Sequence, residues 1–450
     1  MSYSQRLHHV IPGGAHTYSR GSDQFPSNAP EILVRGKGAY VWDTNNRRYL
    51  DYGMALRAVT VGYADSRINA AAYKQIKNGN NLTRASLIEL EAAELITQII
   101  PGFEMVKFAK NGSNATTAAV KIARAFTGRR YVCVPRQHPF FSFDDWFIGT
   151  TELQRGIPKE HVTSTLIFDY NNIDSLRRLF LEYPNQIAAV MLEPATSIVP
   201  CHPRCSEINF DSDCKGCPNW EGNFLYQVEK LCKEKGAIFI LDEMITGFRW
   251  SLNGAGHYFG VKPDLMTFGK GMANGFSVAA VGGRRDLMEV GSIDEPGKER
   301  TFLLSTTHGG EMCGLGAFIE TVKIYKETNL CSYLWEYGAQ LKKGMNSLAV
   351  AHGIEEYFEV IGPPVLLNYV TKDQNHDVSS GFRTLFAQEM LKHGVLIPWI
   401  AFSYSHTNRD LELTLSACDK SFRVLRQALE NGLEAYLEGP ELKPVFRKYN

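Results

Sequence analysis

Residues 237–243 read AIFILDE, and residues 265–271 read LMTFGKG. Each segment is a short apolar run that ends in residues typical of a loop, which indicates a strand buried on both faces of a parallel sheet. Helical stretches separate such runs and suit crossover connections. The sequence therefore predicts an α/β protein with a mostly parallel sheet. Four further runs complete the pattern: 131–134, 165–168, 188–192 and 278–282.

The chain has 450 residues, which exceeds one ordinary compact domain and suits a large domain plus a smaller one. The alternation of runs and helices occupies residues 61–320, with a cysteine-rich insertion at 199–220. Residues 1–60 are rich in turns, and residues 321–450 are more helical. We predict a large central domain and a smaller α+β domain built from both termini.

A helix is predicted after Ser86, because Ser86 and Glu89 have the spacing of a capping box. Pro101 and Gly102 end it. Apolar residues at helical spacing predict the face that the helix buries. They are Leu87, Leu90, Leu95 and Ile99.

Charge and hydropathy exclude several classes of protein. The chain has 48 basic and 48 acidic residues, so nothing favours nucleic acid or an anionic membrane surface as the main partner. The start of the sequence lacks the apolar core of a signal peptide, and no apolar run is long enough to span a bilayer. We therefore expect a cytoplasmic protein, in which the nine cysteines are reduced thiols or metal ligands.

Two charged segments follow predicted strands. Asp242 and Glu243 end one strand, at the sheet edge where open α/β sheets bind ligands. Lys270 lies between two glycines after another strand, and a lysine in such a place can attack an aldehyde as an amine nucleophile if its pKa is lowered. Taken alone, the acids are equally typical of a loop start and the lysine of a solvated turn.

A third segment is typical of a phosphate site. Small polar residues open a predicted helix that Gly128 ends. The free N–H groups and the dipole of such a helix start suit a phosphate at Gly112, Ser113 and Asn114. An ordinary N-cap is the alternative. No P-loop and no G-x-G-x-x-G motif occurs, so a nucleotide is not expected.

Together these segments call for a ligand with a phosphate, a basic nitrogen and an electrophilic carbon. Pyridoxal 5′-phosphate (PLP) has all three. We expect Asp242 to face the pyridine nitrogen and keep it protonated, which makes the ring an electron sink. Lys270 is expected to hold the cofactor as a Schiff base and then to act as general acid and base.

Longer motifs carry a family resemblance. Residues 241–249 (LDEMITGFR) and 268–275 (FGKGMANG) resemble class III PLP-dependent aminotransferases, most closely the glutamate-1-semialdehyde aminomutase branch. Residues 11–14 (IPGG) and 49–52 (YLDY) extend the resemblance over nearly the whole chain. It implies the type I fold of PLP-dependent transferases, with a seven-stranded type of sheet in the large domain.

The resemblance also implies roles for single residues. Glu193 would lie near the cofactor ring, and Met244 would pack on one face of it. Residues 305–311 (STTHGGE) resemble the family loop that crosses a dimer interface. Thr307 would then bind the phosphate of the partner subunit's cofactor. A homodimer with shared active sites follows.

The sequence departs from the family at the position of the stacking aromatic residue, which is Gln137 here. A glutamine amide forms hydrogen bonds but supplies no aromatic ring contact. We expect Gln137 and His138 to lie at the cofactor, with His138 or Phe140 as possible replacements for the missing ring.

A second departure concerns the substrate. Arg20 occupies the place where the aminomutase branch has an arginine for the substrate carboxylate, and a planar guanidinium suits that role. A solvated loop arginine is the alternative. The Ser-Trp-Gly-Pro stretch of the branch is replaced by Met54–Arg57. This change indicates an altered substrate pocket and disfavours a true aminomutase.

The insertion contains two close cysteine pairs, with spacings C-x3-C and C-x2-C. Such pairs suit a tetrahedral structural Zn²⁺ site in a reducing compartment. An iron–sulfur cluster and four free thiols are the alternatives. The predicted ligands are Cys201, Cys205, Cys214 and Cys217.

We predict an aminotransferase that moves an amino group from glutamate or another amino acid to a small carbonyl or keto-sugar acceptor by a ping-pong mechanism. The alternative is an intramolecular 2,1-aminomutase acting on an amino aldehyde such as glutamate-1-semialdehyde. A third reading, a binding protein that has lost catalysis, is disfavoured because Asp242 and Lys270 are both retained.

Overall fold

The computed structural model describes residues 1–201, 222–294 and 296–449. The chain forms two compact units. The terminal unit consists of Met1–Asp65 and Tyr333–Asn450, and the central unit consists of Ser66–Ser332. Each unit has its own sheet and its own core.

The strands are named in chain order. They are β1 Leu33–Lys37, β2 Tyr40–Asp43, β3 Arg48–Asp51, β4 Met105–Ala109, β5 Tyr131–Pro135, β6 Thr165–Phe168, β7 Ile187–Leu192, β8 Ile238–Glu243, β9 Leu265–Phe268, β10 Ala279–Gly283, β11 Phe358–Ile361, β12 Asn368–Thr371 and β13 Val395–Leu396.

The helices are named in the same way, with α2 a single turn. They are α1 Tyr3–Val10, α2 Met54–Arg57, α3 Ser66–Lys77, α4 Leu87–Ile99, α5 Gly112–Thr127, α6 Asp145–Ile148, α7 Lys159–Val162, α8 Ile173–Glu182, α9 Phe224–Lys235, α10 Ala255–Tyr258, α11 Arg285–Met288, α12 Met312–Thr328, α13 Leu330–Ala351, α14 Ser380–Lys392 and α15 Asn408–Asn431.

The central unit contains a seven-stranded sheet in the order β4-β10-β9-β8-β7-β5-β6. Strand β10 is antiparallel to both of its neighbours, and the remaining pairs are parallel. The predicted α/β class with a mostly parallel sheet is confirmed, and all six predicted runs are strands of this sheet. Strand β4 was not predicted, because Lys107 interrupts its apolar character at the sheet edge.

The core of the central unit explains the apolar runs. Every residue of β7 and β8 is buried, as expected for strands covered on both faces. Helix α5 packs on the sheet through a face of small and aliphatic side chains, and Gly128 ends it in the left-handed conformation. Because β4, β9 and β8 run in one direction, the loops that follow them meet at one edge of the sheet.

Helix α4 begins as predicted, since the Ser86 hydroxyl accepts the N–H of Glu89. The predicted buried face is wrong for Leu87 and Leu90, which are 70% and 55% exposed. The helix instead buries Ile88, Ala92, Ile96 and Ile99. Spacing alone did not separate the two faces because α4 is apolar on both.

The terminal unit has a four-stranded sheet in the order β1-β2-β3-β13 and a separate β11–β12 pair. Helices α14 and α15 pack against each other in this unit. Turn α2 is left-handed, with φ angles from 40° to 66° at its four residues, none of which is glycine. Among the helices of the described ranges, none is both long and apolar enough to cross a bilayer.

Candidate active site

Asp242 lies at the end of β8, directly opposite Thr267 of β9. Its Oδ1 accepts hydrogen bonds from the backbone N–H of Met244 at 3.0 Å and from the Thr267 hydroxyl at 2.9 Å. Oδ2 has no hydrogen-bond partner within the described part of the chain. Burial raises the pKa of Asp242 to about 6, while these hydrogen bonds and the nearby charge of Lys270 act in the opposite direction.

Lys270 begins the turn that follows β9 and has a φ of 44°. A non-glycine residue in this region is strained, and such residues concentrate at functional sites. The preceding Gly269 is in close contact with Met244, because a Cβ at Gly269 would lie 2.6 Å from the Met244 sulfur. The turn that carries Lys270 therefore lies in close contact with the Met244 side chain.

Met244 also contacts the start of α5. A Cβ at Gly112 would lie 3.0 Å from the Met244 sulfur. The Met244 side chain thus lies between the first residue of α5 and the turn that carries Lys270. The structure therefore brings together three segments that are distant in the sequence: residue 112, residues 242–244 and residues 269–270.

The start of α5 offers backbone donors more than side chains. Asn111 is the N-cap, and its side chain accepts the N–H of Asn114 at 2.9 Å. The Ser113 hydroxyl oxygen accepts the N–H of Phe143 at 3.0 Å. The N–H groups of Gly112 and Ser113, in the first turn, have no intrahelical acceptor and are the donors available to an anion.

The side-chain amide of Gln137, which is predicted to lie at the cofactor, is held by the loop after β6. Its Oε1 accepts the N–H of Tyr170 at 2.8 Å, and its Nε2 lies 3.3 Å from Asp169 Oδ1. Both ends of the amide are used on the loop after β6, so the geometry gives no support to a ring contact from Gln137. Phe140 is 44% exposed and lies against Phe147.

His138 is buried three residues beyond β5. Its Nδ1 accepts the N–H of Glu193 at 2.9 Å. The ring lies 4.8 Å from that of Tyr170, between centroids. Burial lowers the pKa of His138 to about 3, and its Nε2 has no hydrogen-bond partner among the described residues.

The two acids at the end of β8 have different surroundings. Glu243 accepts the Thr246 hydroxyl at 2.6 Å and the N–H groups of Ala255 and Gly256 at 2.9 and 2.7 Å. Both of its oxygens are therefore used to hold the segment that leads into α10. Glu193 is buried at the end of β7, next to the carbonyl of Pro194 that accepts the Tyr170 hydroxyl at 2.6 Å.

Thr307 is exposed on a loop that other side chains hold in place. Asn81 Nδ2 donates to the Thr307 carbonyl at 3.0 Å. Glu311 forms an ion pair with Lys110 and accepts Asn80 Nδ2 at 2.8 Å. The loop is thus anchored to the end of β4 while the Thr307 side chain stays at the surface.

Arg20 lies in the terminal unit, where it lines a cavity of about 570 Å³. Asp51 also lines this cavity and accepts the Tyr63 hydroxyl at 2.7 Å and the N–H of Gly53 at 2.7 Å. Burial and the neighbouring Asp51 raise the pKa of Tyr63. The left-handed turn α2 contributes Ala55 and Leu56 to the same wall.

Of the four predicted metal ligands, only Cys201 lies within the described residues. It is buried, and its N–H donates to Asn171 Oδ1 at 3.0 Å. Cys205, Cys214 and Cys217 lie outside the described residues. Within the described ranges, no group of three or more histidine, cysteine or acidic residues has the arrangement of a metal site.

Sequence reasoning missed Thr267, which holds Asp242 from the neighbouring strand. Its only signal is a hydroxyl three residues before Lys270 in an otherwise apolar run. The central unit fits PLP on several observations. Within the described residues, a buried carboxylate has one oxygen without a partner, a lysine follows the adjacent strand, and two glycines allow the backbone to approach Met244 closely.

A mostly parallel seven-stranded sheet with this lysine and aspartate at one edge defines the type I fold of PLP-dependent enzymes. The chain belongs to the class III aminotransferase family, which matches residues 19–199 and 214–426. The unmatched residues 200–213 fall inside the cysteine-rich insertion.

Relatives named glutamate-1-semialdehyde 2,1-aminomutase match almost the whole chain. The protein of Wigglesworthia glossinidia brevipalpis is 28% identical over 442 residues, which cover 93% of this chain and 96% of that protein. The protein of Alkaliphilus oremlandii (strain OhILAs) is 28% identical over 443 residues, with 94% and 98% covered.

Solved structures agree with the fold. The PLP internal aldimine form of the Sphingopyxis sp. MTA144 FumI protein is 26% identical, with a TM-score of 0.83 and coverage of 96% of this chain and 98% of that one. A glutamate-1-semialdehyde aminomutase of Pseudomonas aeruginosa PAO1, in complex with PMP, has a TM-score of 0.76 at 18% identity, with 94% of each chain covered.

Proposed function

We propose that this class III enzyme uses Lys270 and Asp242 to move an amino group. The observation that carries the proposal is that Asp242 of β8 pairs with Thr267 of β9, which lies three residues before Lys270. The Met244 side chain packs against the turn that carries Lys270. Adjacent parallel strands thereby supply an acid and an amine at one edge of the sheet. The start of α5 adds anion-binding N–H groups at the same edge.

PLP, when bound, supplies an electron sink for the carbon that carries the amino group. Asp242 would hold a proton on the ring nitrogen through Oδ2, while Thr267 and Met244 fix the orientation of the carboxylate. Lys270 would hold the aldehyde carbon covalently and, once released by an amine, carry the proton as general acid and base. Gly112 and Ser113 would bind the phosphate through their N–H groups.

The comparisons support the intramolecular reaction better than the intermolecular one. The relatives cited above carry the name of the aminomutase, at 28% identity over nearly their whole length. We therefore place the 2,1-aminomutase reaction on an amino aldehyde ahead of the ping-pong transfer predicted from the sequence. The replacement at Met54–Arg57 still favours a changed substrate, which keeps the intermolecular transfer as the second candidate.

An assay without a separate donor or acceptor distinguishes the two reactions. The PLP-loaded and the pyridoxamine-phosphate-loaded enzyme are each mixed with glutamate-1-semialdehyde alone, and the rearranged amino acid is measured. Formation of that product supports the aminomutase. If glutamate-1-semialdehyde alone gives no rearranged amino acid, and an aminated acceptor forms when glutamate and a carbonyl acceptor are both added, the aminomutase is contradicted and the ping-pong transfer is supported. Lys270→Ala is the control in either case and removes turnover.

The substrate carboxylate is assigned to Arg20 on the family resemblance. The position of Arg20 in the cavity of the terminal unit supports a binding role. A guanidinium binds a carboxylate with two parallel hydrogen bonds, which a lysine does not reproduce. Arg20→Lys would then raise KM more than it lowers kcat, whereas a solvated loop arginine would leave both unchanged.

A homodimer in which Thr307 serves the partner's cofactor completes the proposal, in a cytoplasmic enzyme. The exposed Thr307 on an anchored loop supports it. The exposed apolar side chains of α3 and α4, including Tyr73, Ile76, Leu87 and Leu90, support a covered surface on the same unit. Sedimentation of the holoenzyme as a monomer would contradict it.

We also propose a structural zinc site at Cys201, Cys205, Cys214 and Cys217. The spacing of the cysteines and the absence of a family match over residues 200–213 support an added module. Metal analysis of the purified protein should find about one zinc per chain, lost in Cys214→Ser, with PLP binding retained. Zinc-free wild-type protein of unchanged stability would contradict the site.

A further inference from the structure

His138 has two ring nitrogens with different surroundings. Nδ1 accepts the backbone N–H of Glu193 at 2.9 Å, so Nδ1 carries no proton. In a neutral imidazole the proton then resides on Nε2, which makes Nε2 a donor. Burial lowers the pKa of His138 to about 3, so the ring stays neutral at working pH and the tautomer is fixed.

Among the residues that the structure describes, 1–201, 222–294 and 296–449, this donor has no acceptor. His138 is 3% exposed, and its Nε2 is buried without a hydrogen-bond partner in that part of the chain. Donors buried in this way are rare in folded proteins, because each loses its bond to water without a replacement. The ring cannot simply turn over, because the bond from Glu193 holds Nδ1 and the rings of Tyr170 and Phe141 lie beside it.

His138 lies at the edge of the sheet where parallel strands end and where ligands bind. His138 follows β5, and its bond to Glu193 places it at the end of β7. Strand β7 pairs with β8, the strand that ends in Asp242. The unsatisfied N–H therefore belongs to the same edge as the proposed cofactor site, where ligands of parallel sheets bind.

We propose that Nε2–H of His138 donates a hydrogen bond to the phenolic oxygen of the bound pyridine ring. The inference rests on the proposed cofactor site and adds a residue that touches the cofactor. Of the polar groups of PLP, the phosphate is assigned to the start of α5, the ring nitrogen to Asp242 and the aldehyde carbon to Lys270. The phenolic oxygen is the acceptor that remains. Gln137 does not supply this donor, because its amide is bonded to Asp169 and Tyr170.

Two substitutions separate the structural bond of His138 from the ligand bond. Asparagine places an acceptor oxygen where Nδ1 lies, so His138→Asn retains the bond from Glu193 and loses the donor. Glutamine places an N–H group near the position of Nε2, so His138→Gln retains the donor. A merely structural role predicts that Asn is the better replacement, and the ligand role predicts that Gln is.

The first readout is the affinity for PLP, measured by fluorescence titration of the cofactor-free protein. We expect His138→Asn to weaken PLP binding about tenfold, because a hydrogen bond to a charged oxygen is lost. The second readout is the pH at which the visible absorbance of lysine-bound cofactor changes. Because the donor stabilises the deprotonated form, that pH should rise in His138→Asn and stay close to the wild-type value in His138→Gln.

A PLP analogue without the phenolic oxygen closes the test. With 3-deoxypyridoxal 5′-phosphate, His138→Asn should bind as well as wild type, since no acceptor remains to be lost. An equal penalty for PLP and the analogue would overturn the proposal and assign Nε2 to another acceptor or to a packing role. Should His138→Asn fail to fold, wild type and His138→Gln are compared with the two ligands, and equal affinities of wild type for both overturn the proposal. A wild-type protein that binds no PLP would instead overturn the proposed cofactor site.

Discussion

At the scale of single residues, the end of β8 has two neighbouring carboxylates with different hydrogen bonding. Glu243 has all its hydrogen bonds inside the protein, whereas Asp242 keeps one oxygen without a partner in the described part of the chain. A carboxylate whose oxygens are all bonded has a structural role, and one with an open oxygen is available to a ligand. We therefore expect Glu243 to stabilise the fold and Asp242 to act on the ligand.

Substitution of each acid by its amide should show this separation. Ala255 and Gly256 donate to different oxygens of Glu243, so Glu243→Gln places its NH₂ group against one of these two N–H donors, which should cost about 1–3 kcal/mol of unfolding free energy. Asp242→Asn should lower turnover by at least about 100-fold, because the ring nitrogen loses its charged partner. Urea denaturation and steady-state kinetics measure the two effects. A stability loss confined to Asp242→Asn would reverse the assignment.

The pKa of Asp242 predicts a pH dependence for the cofactor-free protein. Burial raises that pKa from 3.8 to about 6, so the folded state prefers the protonated acid. The stability that protonation contributes is present below about pH 4 and is lost as the pH rises to about 6, roughly 3 kcal/mol in all.

Asp242→Asn removes this titration. Without cofactor, the variant should therefore be more stable than wild type above pH 6, and the difference should shrink toward pH 4. Denaturation at a series of pH values measures it. A constant difference across the range would show that Asp242 is not the titrating group.

At the scale of elements, the loop that carries Thr307 is held by an ion pair. Glu311 accepts from Lys110 and from Asn80, and Lys110 lies between β4 and the start of α5. Lys110 lowers the pKa of Glu311, so the pair is charged at neutral pH. These contacts fix the loop to the same corner of the unit as the N–H groups of Gly112 and Ser113, which we propose bind the phosphate.

Loss of this pair should weaken PLP binding through Thr307. Glu311→Gln and Thr307→Ala are each expected to weaken PLP binding about tenfold, and the double variant should be no weaker than Thr307→Ala alone. Glu327→Gln, which breaks an exposed pair with Arg67 in the same unit, is the matched control. Additive losses in the double variant would show that Glu311 acts independently of Thr307.

Turn α2 stores backbone strain in the terminal unit. Left-handed backbone costs a non-glycine residue about 1–2 kcal/mol. Three contacts hold it here: Asp51 accepts the N–H groups of Gly53 and Met54, and the indole N–H of Trp399 donates to the Gly53 carbonyl at 3.0 Å. On the family resemblance, this turn stands where the aminomutase branch has Ser-Trp-Gly-Pro, and it forms a strained wall of the cavity.

Glycine at Ala55 should relieve part of this strain. Ala55 has a φ of 48°, and Ala55→Gly is expected to raise the free energy of unfolding by about 1 kcal/mol. Ala118→Gly, in the right-handed helix α5, is the control and should lower it by about 1 kcal/mol. Denaturant unfolding of both variants measures the difference. Destabilisation by Ala55→Gly would contradict a left-handed turn.

At the scale of the whole molecule, the apolar runs of the sequence predicted six strands of the central sheet but did not predict the order of the strands. Strand β4 was not predicted, because an edge strand tolerates the charge of Lys107. The face of α4 escaped because Leu87 and Leu90 are apolar yet exposed. An apolar pattern indicates that a strand is buried but does not indicate which strands it pairs with.

The candidate site divides in the same way. Residue type and spacing selected Asp242 and Lys270, and the family resemblance selected Met244, since each stands in a recognisable motif. The hydrogen bonds that turn Gln137 toward the loop after β6, and that fix the tautomer of His138, join segments about 30 to 55 residues apart. Such contacts form only when the sheet is packed, so no local sequence pattern predicts them.

The covalent role of Lys270 has a direct chemical test. The PLP-loaded protein is reduced with borohydride, digested, and its peptides are mapped by mass spectrometry. The cofactor mass should appear on the peptide that contains Lys270 and be absent from Lys270→Ala. Attachment to any other lysine, or loss of the cofactor from the reduced wild-type protein, would contradict the proposed chemistry.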